Sequence, residues 1–330
     1  MKLFYLPLMM CCITLACCSK TQDKAADDGA WGTQPALPAV DGHKDFTIPE
    51  NEYYVNVMGN VLSRMPVFPS LSTRPGIARG YVADLKGNPL KGAHIGVSSS
   101  MTGGFYSSGS GLTNDNGYYE FTIPGGAAYF FGTAITITYN ETPAVVALYP
   151  VGGTSAFPSG NGVVKNFVLL SYGLANPDEV AQQPNNESNY YGGALSFNFN
   201  TNDPDAYYQN PEYLPADGII EVELVPVGAG LYGETRSFKI TRQIGSHTGF
   251  AIHNIPVGKY TINARMSDGH PLKMSATGTQ ANVYQRLGLK PDNAAGTSTV
   301  TFTPNYQYTP VMVSSFKSNW DALEIGLKME

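Results

Sequence analysis

The chain has 330 residues, with 26 acidic against 20 basic side chains and a formal net charge of −6. Charged residues are only 14%, below the roughly 25% usual in soluble domains, and no basic patch occurs, which argues against a nucleic-acid partner. A hydrophobic content of 42% supports packed cores, and 36 glycines, 23 prolines and 21 tyrosines predict a turn-rich, all-β chain.

The chain starts Met1-Lys2 and continues with an apolar run from Leu3 to Ala16. A short basic start, an apolar stretch and a small-residue exit are the pattern of a secretory signal peptide. The run is shorter than the roughly twenty apolar residues of a membrane span. All four cysteines, Cys11, Cys12, Cys17 and Cys18, lie here, so disulfides and cysteine-built metal sites are excluded from the rest of the chain.

The sequence Leu15-Ala16-Cys17-Cys18 resembles the lipobox of bacterial lipoproteins. The resemblance implies cleavage before a cysteine that is then acylated. With residues 1–16 as the signal, Cys17 carries the lipid; cleavage one residue later would place it on Cys18. Each buried methylene of an acyl chain contributes about 0.8 kcal/mol, so several chains give stable anchoring. The expected location is the outer membrane, with either its periplasmic or its outer face open as the address.

Residues 17–75 read as a tether, polar and acidic at first and then interrupted by prolines. Asp23, Asp27 and Asp28 resemble the acidic export signals of Bacteroidetes lipoproteins. The more apolar stretch from Glu52 to Val67 is expected to add a strand or short helix to the first domain.

From residue 76 the pattern changes to short alternating strands separated by turns. Ile77–Asp84, His94–Val97, Tyr119–Ile123, Ala134–Tyr139 and Val163–Leu170 are the predicted strands of a β-sandwich over residues 76–174. Residues 175–189, rich in Asn, Gln, Pro and acidic side chains, read as a linker. A second strand-rich unit occupies residues 190–330, with strands at Ala194–Phe199, Ile219–Val225, Ser237–Thr241, Phe250–Ile252, Tyr260–Arg265 and Thr299–Phe302. The expected architecture is therefore two tandem β-sandwiches of transthyretin or immunoglobulin type. An internal echo links them: Gly117…Ile123-Pro124-Gly125-Gly126 lines up with Gly249…Ile255-Pro256-Val257-Gly258.

Gly80-Tyr81-Val82, Asp84, Gly87-Asn88-Pro89-Leu90, Gly92-Ala93, Thr113 and Gly117-Tyr118-Tyr119-Glu120-Phe121 together resemble the carboxypeptidase regulatory-like domain, a transthyretin-type sandwich. The second unit resembles it more faintly, through Gly249-Phe250 and Ile255-Pro256-Val257-Gly258, and lacks a clear Gly-x-Pro-Leu turn. The resemblance implies an accessory module with no catalytic residues and no cofactor.

Gly228-Ala229-Gly230-Leu231-Tyr232-Gly233 matches the G-x-G-x-x-G string, but the residues after it read as strand where a dinucleotide site needs a helix, so a hairpin loop is expected. The histidines at 43, 94, 247, 253 and 270 form no metal-binding pattern. Ser98-Ser99-Ser100 and Ser107–Gly111 have no nucleophile-elbow context and read as a flexible polar loop. Asn114-Asp115-Asn116 and Asn202-Asp203-Pro204-Asp205 fit local Asx turns better than calcium sites.

Tyrosines occur in pairs at 53–54, 118–119, 190–191 and 207–208. Adjacent strand residues face opposite sides, so one of each pair is expected at the surface. Tyr207, Tyr208 and Tyr213, with Asp205 and Asn210 in a proline-bounded loop, form the most binding-like segment. Aromatic faces and carboxamides suit a glycan, and an exposed aromatic patch also suits a protein partner. The expected function is a non-enzymatic, lipid-anchored envelope module that binds carbohydrate or docks a protein partner.

Overall fold

The computed structural model describes residues 30–330 except 102, 154, 280, 282–287, 290–294 and 305–308. The signal peptide, Cys17, Cys18 and the acidic residues 23, 27 and 28 lie outside the described residues.

In chain order the strands begin with β1 (His43–Ile48) and β2 (Tyr54–Asn56). The next group is β3 (Ile77–Asp84), β4 (His94–Met101), β5 (Phe105–Leu112), β6 (Tyr118–Thr122), β7 (Ala127–Tyr139) and β8 (Thr142–Ala147). Four short strands follow: β9 (Tyr149–Pro150), β10 (Phe157–Pro158), β11 (Val163–Val164) and β12 (Phe167–Leu169). After one helical turn, α1 (Pro177–Gln182), come β13 (Gly193–Phe199), β14 (Ile219–Pro226), β15 (Ser237–Gln243), β16 (Gly249–Ile255), β17 (Lys259–Met266) and β18 (Leu272–Ala276). The chain closes with β19 (Thr297–Thr301), β20 (Thr303–Pro304), β21 (Trp320–Asp321) and β22 (Leu323–Met329).

These strands build two sandwiches. In the first, β6-β3-β12-β9 faces β5-β4-β7-β8, with β11 continuing β12 along β3 and β10 continuing β8 along β7. In the second, β2-β16-β13-β22-β18 faces β1-β15-β14-β17-β19. The wiring is shared. β3 and β13 each run parallel to a late strand, β12 or β22, and antiparallel to β6 or β16. The echoed Ile-Pro step takes the chain from one sheet to the other in both units, from β6 to β7 and from β16 to β17. Without a Gly-x-Pro-Leu turn, the second unit reaches the same central order, β16-β13-β22 against β15-β14-β17, as β6-β3-β12 against β5-β4-β7. The strands beside these enter in opposite chain order, β8 before β9 in the first unit and β18 before β19, on exchanged sheets, in the second.

Alternation explains the cores. Ile220, Val222 and Leu224 of β14 and Tyr260, Ile262 and Ala264 of β17 are buried, while their neighbours alternate outward. The motif residues of the first unit serve turns. Asp84 Oδ1 accepts from the amides of Lys86 and Asn88 at 2.8 and 2.9 Å, and Gly87 takes φ +81°. Thr113 Oγ1 donates to Leu90 O at 2.6 Å and accepts from Ala93 N at 2.8 Å, tying two turns together. A Cβ on Gly117, at φ +71°, would lie 2.5 Å from Val82 O.

Three segments depart from the sequence expectations. First, the tether of residues 17–75 contains β1 and β2, and both belong to the second sandwich. β1 pairs in parallel with β15, and β2 pairs in parallel with β16. Ile48 is buried, so this segment does bury enough to order itself. The stretch from Glu52 to Val67 thus gives its strand, β2, to the second unit, while Met65 farther along packs against a cluster that includes Leu85, Tyr149 and Val168 of the first. Second, residues 175–189 form no open linker. Asn176 caps α1 by accepting from Asp178 N, and Val180 packs with Leu174 and Tyr190. Third, the serine-rich segment is the β4–β5 hairpin, paired from His94↔Leu112 to Met101↔Phe105. Its glycines allow close packing: a Cβ on Gly111 would lie 2.9 Å from the Phe121 ring.

The two sandwiches touch through side chains of both. Tyr139 donates to Gly258 O at 3.1 Å and its ring meets Trp320 at 5.1 Å. Asn319 accepts from Ala147 N at 2.8 Å and donates to Val145 O at 2.7 Å. The glycine string at 228–233 is a loop between β14 and β15, where Glu234 Oε2 accepts from Tyr232 N at 2.7 Å.

Candidate functional site

The site lies on the outer face of the sheet β18-β22-β13-β16-β2. Leu195, Phe197 and Phe199 of β13 point into the core, which turns Ser196 and Asn198 outward. Register then fixes two rows across the sheet. One runs Tyr54–Ala251–Ser196–Glu324 and the other Gly249–Asn198–Gly326–Ser275. Most of these residues are small, so the face has a low floor. Gly249 is required there, since a Cβ would lie 2.7 Å from Phe197 O.

Taller groups rise around this floor and leave a groove of about 620 Å³. Tyr53, 38% exposed, stands on one side with its ring 5.0 Å from His247. Asn185 and Glu187 form another wall, and Glu324 projects from β22. His253 sits at the groove with only 2% exposure, between the rings of Tyr54 at 5.8 Å and Tyr190 at 5.9 Å. Among the described residues its Nδ1 has no hydrogen-bond partner. Burial pushes its pKa down to about 4, so the imidazole is neutral at physiological pH.

A second hollow of about 270 Å³ continues the groove past Asn198 and Thr248, which line both. Its walls are Asn200, Tyr213, Ser275 and Thr277, and Lys328 pairs with Glu212 at 2.8 Å beside it. The combined surface offers carboxamides, hydroxyls, the carboxylates of Glu187, Glu324 and Glu212, the last paired with Lys328, and an exposed aromatic ring. This is a hydrogen-bonding surface for a polar ligand with flat apolar faces.

Of the residues singled out in the sequence, Tyr213 lines this second hollow. Tyr207 and Tyr208 stand fully in solvent on the same loop and line neither hollow. Asn210 Oδ1 accepts from Glu212 N at 3.0 Å and its amide donates to Asn202 Oδ1 at 2.8 Å, so it shapes the loop. Asp205 is exposed, its amide bonded to Asp203 Oδ1 at 3.0 Å. The paired-tyrosine expectation fails at two places. Tyr118 and Tyr119 are both buried, as are Tyr190 and Tyr191. Residues outside the sheets cover the faces concerned: Trp31 packs on Tyr81, which packs on Tyr118, and Val180 of α1 packs with Tyr190.

Sequence reasoning missed Asn198, Glu187 and Glu324, and set His253 aside with the other histidines. Asn198 alternates with the buried Phe197 and Phe199, a signal visible once the strand faces are assigned. Among the described residues no group of three or more His, Cys, Asp or Glu is placed to hold a metal ion. Asn114 Oδ1 accepts from the amides of Asn116 and Tyr118, both at 3.0 Å, and so serves its own turn.

No family model matches the chain, and no curated protein matches it. Among solved structures it is similar to the shaft pilin SpaA from Lactobacillus rhamnosus GG, at 12% identity and TM-score 0.21 over 78% of this chain and 98% of that one. It is also similar to a streptococcal ancillary pilin, at 11% identity and TM-score 0.21 over 56% of this chain. A third likeness is to the Bacillus anthracis TIE protein, at 12% identity and TM-score 0.24 over 70% of this chain. The chain spans about half the length of the last two, 52% and 46%. Likenesses at these TM-scores carry no argument about role, and the β-sandwich assignment rests on the sheets themselves.

Proposed function

We propose that the protein is a non-catalytic carbohydrate-binding module, held at a bacterial outer membrane by acyl chains on Cys17 or Cys18. The observation that carries the reading is the long groove on the outer face of the second sandwich. Its floor of Ser196, Gly249 and Ala251 leaves room for a chain of sugar rings, Asn185 and Asn198 offer paired donors and acceptors, and Tyr53 offers an aromatic face. Tyr213 extends the same surface toward the loop that carries Tyr207 and Tyr208. The test is a glycan panel probed with the soluble protein from residue 29 onward. Binding that is lost in Tyr53→Ala and weakened in Tyr213→Ala supports the reading; binding unchanged in both contradicts it. Incorporation of labelled palmitate into the full-length chain, abolished by serine at both Cys17 and Cys18, tests the anchor.

A second reading is a scaffold that docks a protein partner of the envelope. It is favoured by the outer face of the first sandwich, where Tyr106, Leu112, Tyr129 and Phe131 are exposed and β5 is the terminal strand of its sheet among the described residues. Replacing Tyr129 and Phe131 with serine and recovering partners from envelope extract tests it; an unchanged set of partners contradicts it.

A further inference from the structure

The groove carries charge of one sign only. Glu187 and Glu324 both line it, and among the described residues no Lys or Arg does. Neither carboxylate forms an ion pair or a side-chain hydrogen bond with a described residue. Two other acidic side chains of this unit are neutralised by lysines: Glu221 pairs with Lys239 at 2.8 Å, and Glu212 pairs with Lys328 at 2.8 Å. Two carboxylates left without counter-charge across one concave surface repel anions and attract cations.

His253 supplies an independent observation at the same place. Its ring is 2% exposed at an outward-facing position of β16, level with Asn56 of β2, and its Nδ1 lacks a partner among the described residues. A buried polar atom without a partner costs stability, and a ligand group that hydrogen-bonds to it recovers that cost. A glycan hydroxyl does so with either tautomer of the neutral ring, because it both donates and accepts.

Building on the glycan reading above, we propose that this groove selects glycans bearing free amino groups and rejects uronic-acid and sulfated glycans through Glu187 and Glu324, with Nδ1 of His253 as a hydrogen-bonding partner for the bound sugar.

The experiment titrates the soluble protein with glucosamine oligosaccharides, their fully N-acetylated counterparts and oligogalacturonate, at low and high salt. The expected result is binding of the amino series at least about tenfold tighter than the acetylated series, with the advantage shrinking as salt screens it, and no binding of oligogalacturonate. The double variant Glu187→Gln, Glu324→Gln then binds both series equally. Oligogalacturonate binding as well as the amino series, or a preference that survives in the double variant, overturns the charge selection and leaves the glycan reading standing. Failure of all three series to bind, together with an empty wider panel, removes the glycan reading itself.

Discussion

The side chain of Asn254 accepts a 2.7 Å hydrogen bond from the amide of Gly173, joining β16 to the chain that leaves the first sandwich. Its Nδ2 donates to Asn56 Oδ1 at 3.0 Å and to Gly59 O at 3.2 Å, so one buried residue ties three distant segments. It does so at φ +62°, a conformation that favours Gly and Asn. Asn254→Gly keeps the backbone and loses the bonds; Asn254→Ala loses both. Denaturant melts are expected to show a loss of about 1–3 kcal/mol for Gly and a larger one for Ala. Equal losses would mean that the backbone conformation contributes nothing.

The parallel strand β1 is part of the second sandwich and not a spacer. Ile48 is buried against its core, and Phe46 meets Phe238 at 6.4 Å. Ile48→Ala is expected to cost about 2–5 kcal/mol in a denaturant melt. A protein shortened to begin after residue 49 is expected to lose cooperative unfolding of this unit. Unaltered melting of the shortened protein would return the segment to the role of a tether.

Thr113 makes the turn motif of the first unit more than a pattern. Both of its side-chain bonds are to backbone groups, and the side chain is almost wholly buried. Thr113→Val keeps the shape and strands Ala93 N and Leu90 O, with an expected cost of about 2–4 kcal/mol in thermal or denaturant unfolding.

Stability should depend on pH through His253. Burial lowers its folded pKa from 6.5 to about 4. The unfolded chain takes up a proton near pH 6.5 and the folded one does not, so stability is full above about 6.5 and falls as pH drops toward 4, by about 3 kcal/mol in total. His253→Gln is expected to remove most of this slope, read as urea midpoints across that range. A slope unchanged by the substitution would assign it to the carboxylates.

The strands with strict alternation, such as Ile219–Pro226 and Lys259–Met266, were legible because each carries its own period. The first unit was legible also through Asp84, Thr113 and Gly117, whose turn chemistry is local. β1 and β2 were not, because a short, mostly exposed strand is defined by its partner, and the partner of His43 is Ser237. The groove was missed for the same reason. Tyr53 comes from the expected tether, Asn185 and Glu187 from the expected linker, and Asn198, His253 and Glu324 from three strands that only the sheet brings together. The tyrosine loop stood out because its signal is compositional, and only its Tyr213 reaches the continuous surface.

The most direct test of the account is calorimetric titration of Tyr53→Ala beside Tyr207→Ala with a glycan that binds the wild-type protein. The account predicts a loss of about tenfold or more for Tyr53→Ala, about 1.4 kcal/mol, and little change for Tyr207→Ala. Unchanged affinity in Tyr53→Ala with a large loss in Tyr207→Ala would contradict it and move the binding site off the groove and onto the loop.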